Sequence, residues 1–201
     1  MEKIAKGINY LKQNDLVIAG IIEKENRCDL KPSRTYFKNL VRSIISQQLS
    51  SKAANTIYRR FVTKIGNKVI PQNIINLEDI HFREAGISKQ KMNYLIELSK
   101  IYIKDEKFFR SLSKHTNTEI INELTKIKGV GLWTAQMFLM FSVNRLDVLP
   151  LDDIGIQNSI KMHYKLKGKP DKKKIIKIAK NWGEYSSIAC WYLWESLDNR
   201  K

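Results

Sequence analysis

Apolar residues recur every three or four positions along most of this 201-residue chain. The clearest stretch carries them at Phe37, Leu40, Val41, Ile44, Ile45, Leu49, Ala53, Ile57 and Phe61. This spacing places the side chains on one face of an α-helix. The polar segment SQQLSS interrupts the stretch and predicts a break, with a second helix capped at Ser50 or Ser51. No segment alternates polar and apolar residues over a comparable length, so the sequence predicts an all-α fold.

Two glycines one residue apart separate two helical stretches in LTKIKGVGLWTAQMF. Thr116 and Glu119 have capping-box spacing and predict the start of the first helix. Gly129 and Gly131 allow the positive φ and the close approach that a sharp turn between helices needs. We expect the amides of Val130, Gly131 and the next helical turn to point outward and bind an anion such as a DNA phosphate. An ordinary turn between helices is the alternative for this motif alone.

The chain is strongly basic, with 36 Lys and Arg against 20 Asp and Glu and a formal net charge of +16. An excess this large favours binding to nucleic acid over the alternative that the positive charge serves solubility alone. The lysine-rich segment KLKGKPDKKKIIKIAK is expected to be a solvated loop and helix face, with DNA contact as the alternative. Cys28 and Cys190 are too few and too far apart for a disulfide framework or a cysteine metal site, so no metal is expected. No apolar stretch is long enough to span a bilayer, so we expect no membrane association and an intracellular location, in the cytoplasm or nucleoid.

An acidic pair follows Pro150 in LPLDD. Asp152 is expected to cap the next helix, which requires only one acidic residue. Asp153 would lie in the first turn, where the helix dipole favours a carboxylate. A negative group near a bound polyanion weakens binding, but it stabilises the positive charge that develops on the sugar as an N-glycosidic bond breaks. The pair therefore predicts Asp153 as a catalytic residue and Asp152 as a helix cap.

Aromatic residues are dense near the C-terminus, where NWGEYSSIACWYLWESLDN holds three of the four tryptophans. The fourth, Trp133, follows the glycine turn. Core packing explains most of them. One or two are candidates for stacking on an extruded base, and a cationic base would gain about 2 kcal/mol or more from such contact in a desolvated site.

Together these segments resemble the helix-hairpin-helix (HhH-GPD) DNA glycosylases, most closely the 3-methyladenine DNA glycosylase II (AlkA-type) branch. The resemblance rests on LVRSIISQQLSSKAA, REAGISKQKMNYLIELS, LTKIKGVGLWTAQMF and LDVLPLDDIGI, in the family's order and spacing, and it extends over residues 36–194. It implies a two-lobed all-α fold with the active-site cleft between the lobes. Residues 1–32 plus 144–201 would form one lobe, and residues 33–143 the other, with the helix-hairpin-helix at about 117–142.

The resemblance also assigns roles to individual residues. Asp153 matches the family's catalytic aspartate. Trp133 stands at an aromatic wall of the base pocket, where bifunctional relatives carry a Schiff-base lysine, which implies that this chain leaves an intact abasic site. The base pocket implied by the resemblance consists of Trp133, Met137, Tyr185 and Trp194. Two residues depart from the family pattern: Met137 replaces a common tyrosine, and Ser186 lacks the arginine that usually precedes it.

The DNA contacts follow from the same resemblance. Gln48 matches the residue that fills the gap left by a flipped nucleotide, with Leu49 beside it, and the alternative is a loop glutamine that caps a helix. Lys128 is expected at the end of the first hairpin helix, in contact with a phosphate. The implied DNA-binding set is Gln48, Leu49, Lys128, Gly129, Val130 and Gly131.

The function expected from the resemblance is that of a monofunctional DNA glycosylase of base excision repair. It would flip alkylated purines such as 3-methyladenine or 7-methylguanine out of duplex DNA, hydrolyse the N-glycosidic bond, and pass the abasic site to downstream repair enzymes. We expect a monomer that requires no cofactor, although hairpin carbonyls are candidates for holding a monovalent cation. Two alternatives remain: a glycosylase for a neutral lesion such as hypoxanthine or an oxidised purine, and a non-catalytic DNA-binding module.

Overall fold

The computed structural model describes residues 2–25, 27–33 and 35–198, and over these residues the chain is helical with no strand. This confirms the predicted all-α class. The helices are α1 (Glu2–Asn14), α2 (Leu16–Ile22), α3 (Tyr36–Ser46), α4 (Ser51–Lys64), α5 (Pro71–Ile75), α6 (Asp79–Ala85), α7 (Lys89–Lys104), α8 (Glu106–Arg110), α9 (Asn117–Thr125), α10 (Leu132–Phe138), α11 (Ile154–His163), α12 (Lys172–Ala179) and α13 (Ser186–Asp198). Two 3₁₀ segments (Leu112–Lys114 and Lys180–Tyr185) and a π-helical turn (Leu139–Val143) complete the helical structure. Within the described part of the chain, no helix combines the length and hydrophobicity needed to cross a membrane.

The chain divides into two compact units. Unit 1 consists of Met1–Pro32 and Leu139–Lys201, and unit 2 of Ser33–Phe138. Each unit has its own buried apolar residues and is described separately.

In unit 2, α3 packs against α4 and α7. The predicted break between α3 and α4 is confirmed, because the Ser50 hydroxyl caps α4 by accepting a hydrogen bond from the Ala53 amide. The break also restarts the helical register. Leu49 is therefore exposed instead of buried, and α4 buries Ala54 and Tyr58 in place of the predicted Ala53 and Ile57. Phe61 is buried as predicted.

In unit 1, α11 packs against α13, and α1 packs against α2. A buried carboxylate, Asp15, caps α2 by accepting hydrogen bonds from the amides of Val17 and Ile18. The same side chain accepts hydrogen bonds from the Tyr164 hydroxyl and the Trp182 indole. Asp15 thus joins three separate segments of unit 1, and the fully buried Trp182 belongs to the core, as expected for most of the aromatic residues.

Candidate functional site

The glycine hairpin of unit 2 connects α9 to α10. The predicted capping box is confirmed: the Thr116 hydroxyl accepts from the Glu119 amide, and the Glu119 carboxylate accepts from the Thr116 amide. The helix ends at Thr125, so Lys128 lies in the turn and not at a helix terminus as predicted. The Lys128 amide donates to the Glu97 carboxylate at 3.5 Å, and the residue is exposed.

The two hairpin glycines differ in what the fold requires of them. Gly129 has a φ of 85°, and a Cβ there would lie 2.2 Å from the Tyr94 ring, so both the backbone conformation and the packing require glycine. Gly131 has no positive φ, and a Cβ there would meet no atom within 4 Å. The prediction that both positions need glycine for the turn is therefore wrong for Gly131. The difference depends on Tyr94, which lies in another helix.

The expected anion site also changes in detail. The Val130 amide donates to the Ile127 carbonyl at 3.0 Å, and the Val130 side chain is buried. Val130 therefore closes the turn and does not offer an outward donor, which corrects the prediction. The Gly131 carbonyl accepts from the Ala135 amide, so Gly131 stands at the start of α10. The amides of the first helical turn have no intrahelical partner, and they remain the predicted phosphate donors.

The loop between α3 and α4 is tied to this hairpin. The Gln47 side chain donates from Nε2 to the Gly129 carbonyl at 2.7 Å. Lys91 donates from Nζ to the carbonyls of Ile45 and Gln47, each at 2.7 Å, and partial burial lowers the pKa of its ammonium group. Gln47 thus joins to the hairpin the loop that carries Gln48 and Leu49, which we call the wedge loop, and Lys91 joins the same loop to α7. The sequence had indicated neither contact.

Gln48 lies at the tip of this anchored loop. Its φ is 57°, in the left-handed region that residues other than glycine rarely adopt, and its side chain is exposed. The neighbouring Leu49 is 38% exposed. A strained conformation persists only where its surroundings hold it, and here the anchors are the contacts of Gln47 and Lys91. The loop therefore presents two side chains outward on a fixed backbone.

Unit 2 also exposes apolar residues at the start of α10. Trp133 is 50% exposed and Leu132 is 48% exposed, whereas the next residues, Thr134 and Ala135, are buried. Trp133 thus departs from the core-packing explanation. Met137 is half-buried and lies one helical turn after Trp133, on the same face of α10.

In unit 1 the acidic pair has a different division of roles from the one predicted. Asp153 is the N-cap of α11, with an extended backbone and with Oδ1 accepting from the Ile156 amide at 2.8 Å. Asp152 is exposed and forms an ion pair with Lys172. The prediction that Asp152 caps the helix is therefore wrong. The physical reason is a turn, closed by the Asp153 amide on the Pro150 carbonyl, which delays the helix start by one residue.

Asp153 is held on a second side by Trp194 of α13. The Trp194 indole donates from Nε1 to Asp153 Oδ1 at 2.9 Å, and Asp153 is buried. Gly155 lies beneath this contact, because a Cβ there would come within 3.1 Å of both side chains. Two donors on one oxygen fix the orientation of the carboxylate at the start of α11.

Comparison with known proteins places these features in a family. The HhH-GPD superfamily of base excision DNA repair proteins matches residues 41–184, which include the hairpin and Asp153. The chain belongs to this superfamily.

Individual relatives match nearly the whole chain. The DNA-3-methyladenine glycosylase 1 of Schizosaccharomyces pombe is 31% identical over 94% of this chain and 89% of its own length. The crystal structure of a DNA-3-methyladenine glycosidase from Bacillus halodurans is 36% identical, with a TM-score of 0.83 over 94% of this chain and 88% of that one. A 3-methyladenine DNA glycosylase of S. pombe, solved in complex with abasic DNA, is 30% identical, with a TM-score of 0.80 over 96% and 97% of the two chains.

Around Asp153 of this HhH-GPD protein lies an aromatic surface that the sequence predicted only in part. Phe141 is 43% exposed, and its ring centroid lies 6.0 Å from that of Trp194. Phe141 was missed because every residue of MFLMFSV except Ser142 is apolar, and the π-helical turn there changes which side chains share a face. Ile154, directly after Asp153, is 67% exposed. Exposed large apolar side chains next to a carboxylate are typical of a binding surface.

Tyr185 is placed differently from Trp194. Its ring lies 5.3 Å from that of Tyr10 and approaches Gly7, so the ring packs against α1. Trp194, by contrast, contacts Asp153 and Phe141. The role of Tyr185 in a base pocket stays a prediction. Ser186, which lacks the usual preceding arginine, is buried and donates to the Gly183 carbonyl.

Proposed function

We propose that this HhH-GPD protein is a DNA glycosylase that hydrolyses the N-glycosidic bond of alkylated purines in duplex DNA and leaves an abasic site. The observation that carries the proposal is the buried Asp153 carboxylate, fixed by Trp194 at the start of α11. A binding module gains nothing from a buried acid beside an exposed apolar surface. The proposal is further supported by the relatives named 3-methyladenine glycosylases, one of which was solved with abasic DNA.

Asp153 would act on the sugar. As the C1′–N bond lengthens, its electron pair leaves with the base, and positive charge develops on C1′ and the ring oxygen. A fixed carboxylate stabilises that charge without reorganising during the reaction. The oxygen of a water molecule then bonds to C1′, and the proton it loses passes to the carboxylate or to solvent.

Excision of an alkylated purine does not require a general acid that protonates the leaving base. A base methylated at N3 or N7 already carries positive charge and departs as a neutral molecule. The rings of Trp194 and Phe141 lie beside Asp153 in unit 1. The role of Trp133 in a base pocket stays a prediction. Stacking of a cationic base on an aromatic face is favourable by about 2 kcal/mol or more when the site is dry.

We also propose that the enzyme lacks lyase activity and belongs to the AlkA-type branch. The resemblance aligns Trp133 with the Schiff-base lysine of bifunctional relatives, and an indole cannot attack C1′ as an amine does. Lys128 is the lysine nearest to it in the hairpin sequence. Its place in an exposed turn favours a phosphate contact.

The hairpin and the wedge loop of unit 2 would bind the DNA backbone and fill the gap left by the flipped base. The first turn of α10 supplies amide donors, and Gln48 and Leu49 project from a loop anchored on the hairpin. A monovalent cation on the hairpin carbonyls stays a prediction. The Gly129 carbonyl accepts from Gln47 and has a second lone pair for such an ion.

The test is incubation of the protein with methylated duplex DNA, with free base and strand breaks scored separately, before and after hot alkali. Release of methylpurines with breaks only after alkali is the expected result. Breaks without alkali would contradict the monofunctional assignment. A duplex that contains hypoxanthine is assayed in parallel, and release from that duplex alone would favour the neutral-lesion alternative. No release from either duplex would favour the binding module.

A further inference from the structure

Unit 1 carries a surface of eight lysines in residues 165–180, which we call the lysine surface. The members are Lys165, Lys167, Lys169, Lys172, Lys173, Lys174, Lys177 and Lys180. All eight are exposed, and the only acidic residue in the segment is Asp171. The buried face of α12 is formed by Ile175, Ile178 and Ala179, so the helix is fixed to its unit while its lysines face solvent.

The charges on this surface are not balanced within the described residues. Among the eight lysines, only Lys172 forms an ion pair there, with Asp152. The Asp171 carboxylate caps α12 by accepting from the Lys174 amide. The side chains of the other lysines therefore gain no ion-pair energy from the described part of the free protein.

The arrangement is unfavourable for α12 itself. Lys172, Lys173 and Lys174 occupy its first turn, where the helix dipole disfavours cations. Lys177 lies four residues after Lys173 and three after Lys174, and like charges at these spacings repel. A helix with this distribution gains stability when a polyanion neutralises it.

The lysine surface is linked to the turn that bears Asp153. Lys172 Nζ bonds to Asp152 Oδ1 at 2.7 Å and to Oδ2 at 2.8 Å, and Asp152 directly precedes Asp153. The first turn of α12 is thereby held beside the start of α11. A duplex whose sugar reaches Asp153 has phosphates on either side of that sugar.

We propose that the lysine surface binds the phosphate backbone of the duplex that flanks the base acted on at Asp153. The proposal rests on the proposed function for its location, since it takes the substrate of Asp153 to be duplex DNA. The surface would contact phosphates without reading sequence, as flexible, exposed lysines do. Binding would therefore be strongly salt-dependent, because each neutralised phosphate releases counterions.

The experiment compares two triple variants with the same change in charge. Lys173→Gln, Lys174→Gln and Lys177→Gln remove three charges from the lysine surface. Lys100→Gln, Lys104→Gln and Lys107→Gln remove three exposed lysines of unit 2, at the end of α7 and in α8, that form no ion pair with a described residue. The affinity of each for an undamaged duplex of about 20 base pairs is measured between about 50 and 200 mM salt.

The expected result is that the lysine-surface variant binds at least about tenfold more weakly. The slope of log affinity against log salt concentration should be shallower by about 0.9 for each phosphate that the variant no longer neutralises. The melting temperature of this variant should be unchanged or higher, because the repulsion in α12 is relieved. The control variant should keep the wild-type salt slope. Equal slopes for the wild type and both variants would overturn the proposal, as would an equal loss of affinity in both variants. The wild-type assay with methylated DNA tests the proposed function separately, since base release does not depend on the outcome of the slope measurement.

Discussion

Trp194 donates its indole N–H to Asp153 Oδ1 across 2.9 Å, from a position 41 residues later in the sequence. The contact joins the start of α11 to α13 and makes Trp194 a positioning residue for the proposed catalytic carboxylate. Its ring also faces Phe141, so one side chain combines orientation of the acid with an aromatic surface.

The two roles of Trp194 are separated by Trp194→Phe, which keeps a ring but removes the N–H. We expect single-turnover release of 3-methyladenine to slow by about tenfold or more, because loss of a hydrogen bond to a carboxylate costs roughly 1.5–3 kcal/mol. DNA affinity should change little. Trp191→Phe, in the same helix but packed edge-on against Tyr192, is the matched control. Equal rates for the Trp194 variant and the wild type would show that the hydrogen bond does not position the acid.

Asp153→Asn is expected to abolish most of the activity without unfolding the protein. Asparagine caps a helix as well as aspartate, so the melting temperature should stay close to that of the wild type. Loss of one electrostatic element of this kind typically lowers the rate about 10²–10³-fold. Asp152→Asn removes the neighbouring charge and its ion pair with Lys172, and should retain most of the excision activity. Rapid excision by the Asp153 variant, measured as free base, would reject the catalytic role.

The two hairpin glycines should respond differently to alanine. Gly129→Ala places a Cβ against Tyr94 at a φ of 85°, and we expect it to lower the free energy of unfolding by about 1–3 kcal/mol. Gly131→Ala has open space and an ordinary φ, so it should be neutral or stabilise by up to about 1 kcal/mol. Urea denaturation of both variants is the measurement. Similar losses of stability would mean that Tyr94 does not pack against the turn as described.

The helix caps and the glycine hairpin show how much of the structure the sequence could predict. The apolar period within α3, a cap at Ser50 or Ser51 and the capping box at Thr116 depend on local geometry, and all three were predicted. The difference between Gly129 and Gly131 depends on Tyr94, which lies in another helix and has no local signal.

The acidic pair shows the same limit at the candidate site. The pair itself was recognisable, but the assignment of the helix cap was displaced by one residue, because a turn closed on the Pro150 carbonyl sets where α11 begins. Phe141 was missed because a π-helical turn changes the register of an apolar run. Local patterns predicted the elements, whereas side chains distant in sequence determine the site geometry.

The buried network at Asp15 predicts a pH dependence of stability. Burial, followed by the hydrogen bond to Asp15, raises the pKa of the Tyr164 hydroxyl. A tyrosine whose pKa is higher in the folded state stabilises the fold fully below the unfolded value of about 10, and this stability is lost as the pH rises above it. Tyr164→Phe should therefore lower the free energy of unfolding by about 1–3 kcal/mol near pH 7 and flatten its decline above pH 10. Urea denaturation of the wild type and the variant between about pH 7 and pH 11 is the measurement, and identical pH profiles would contradict the role of the network.

Gln48 offers a test of whether strain in the wedge loop serves function. Gln48→Gly relieves the φ of 57° and should raise the free energy of unfolding by up to about 1 kcal/mol, while removing the side chain proposed to fill the DNA stack. Gln48→Ala removes the side chain but keeps the strain, so it should not stabilise the protein. Both variants should excise more slowly from duplex DNA than the wild type, and the deficit should shrink on a single strand or at a mispaired lesion, where extrusion of the base costs less. A glycine variant that is more stable and equally active on every substrate would show that the strained loop has no part in base flipping.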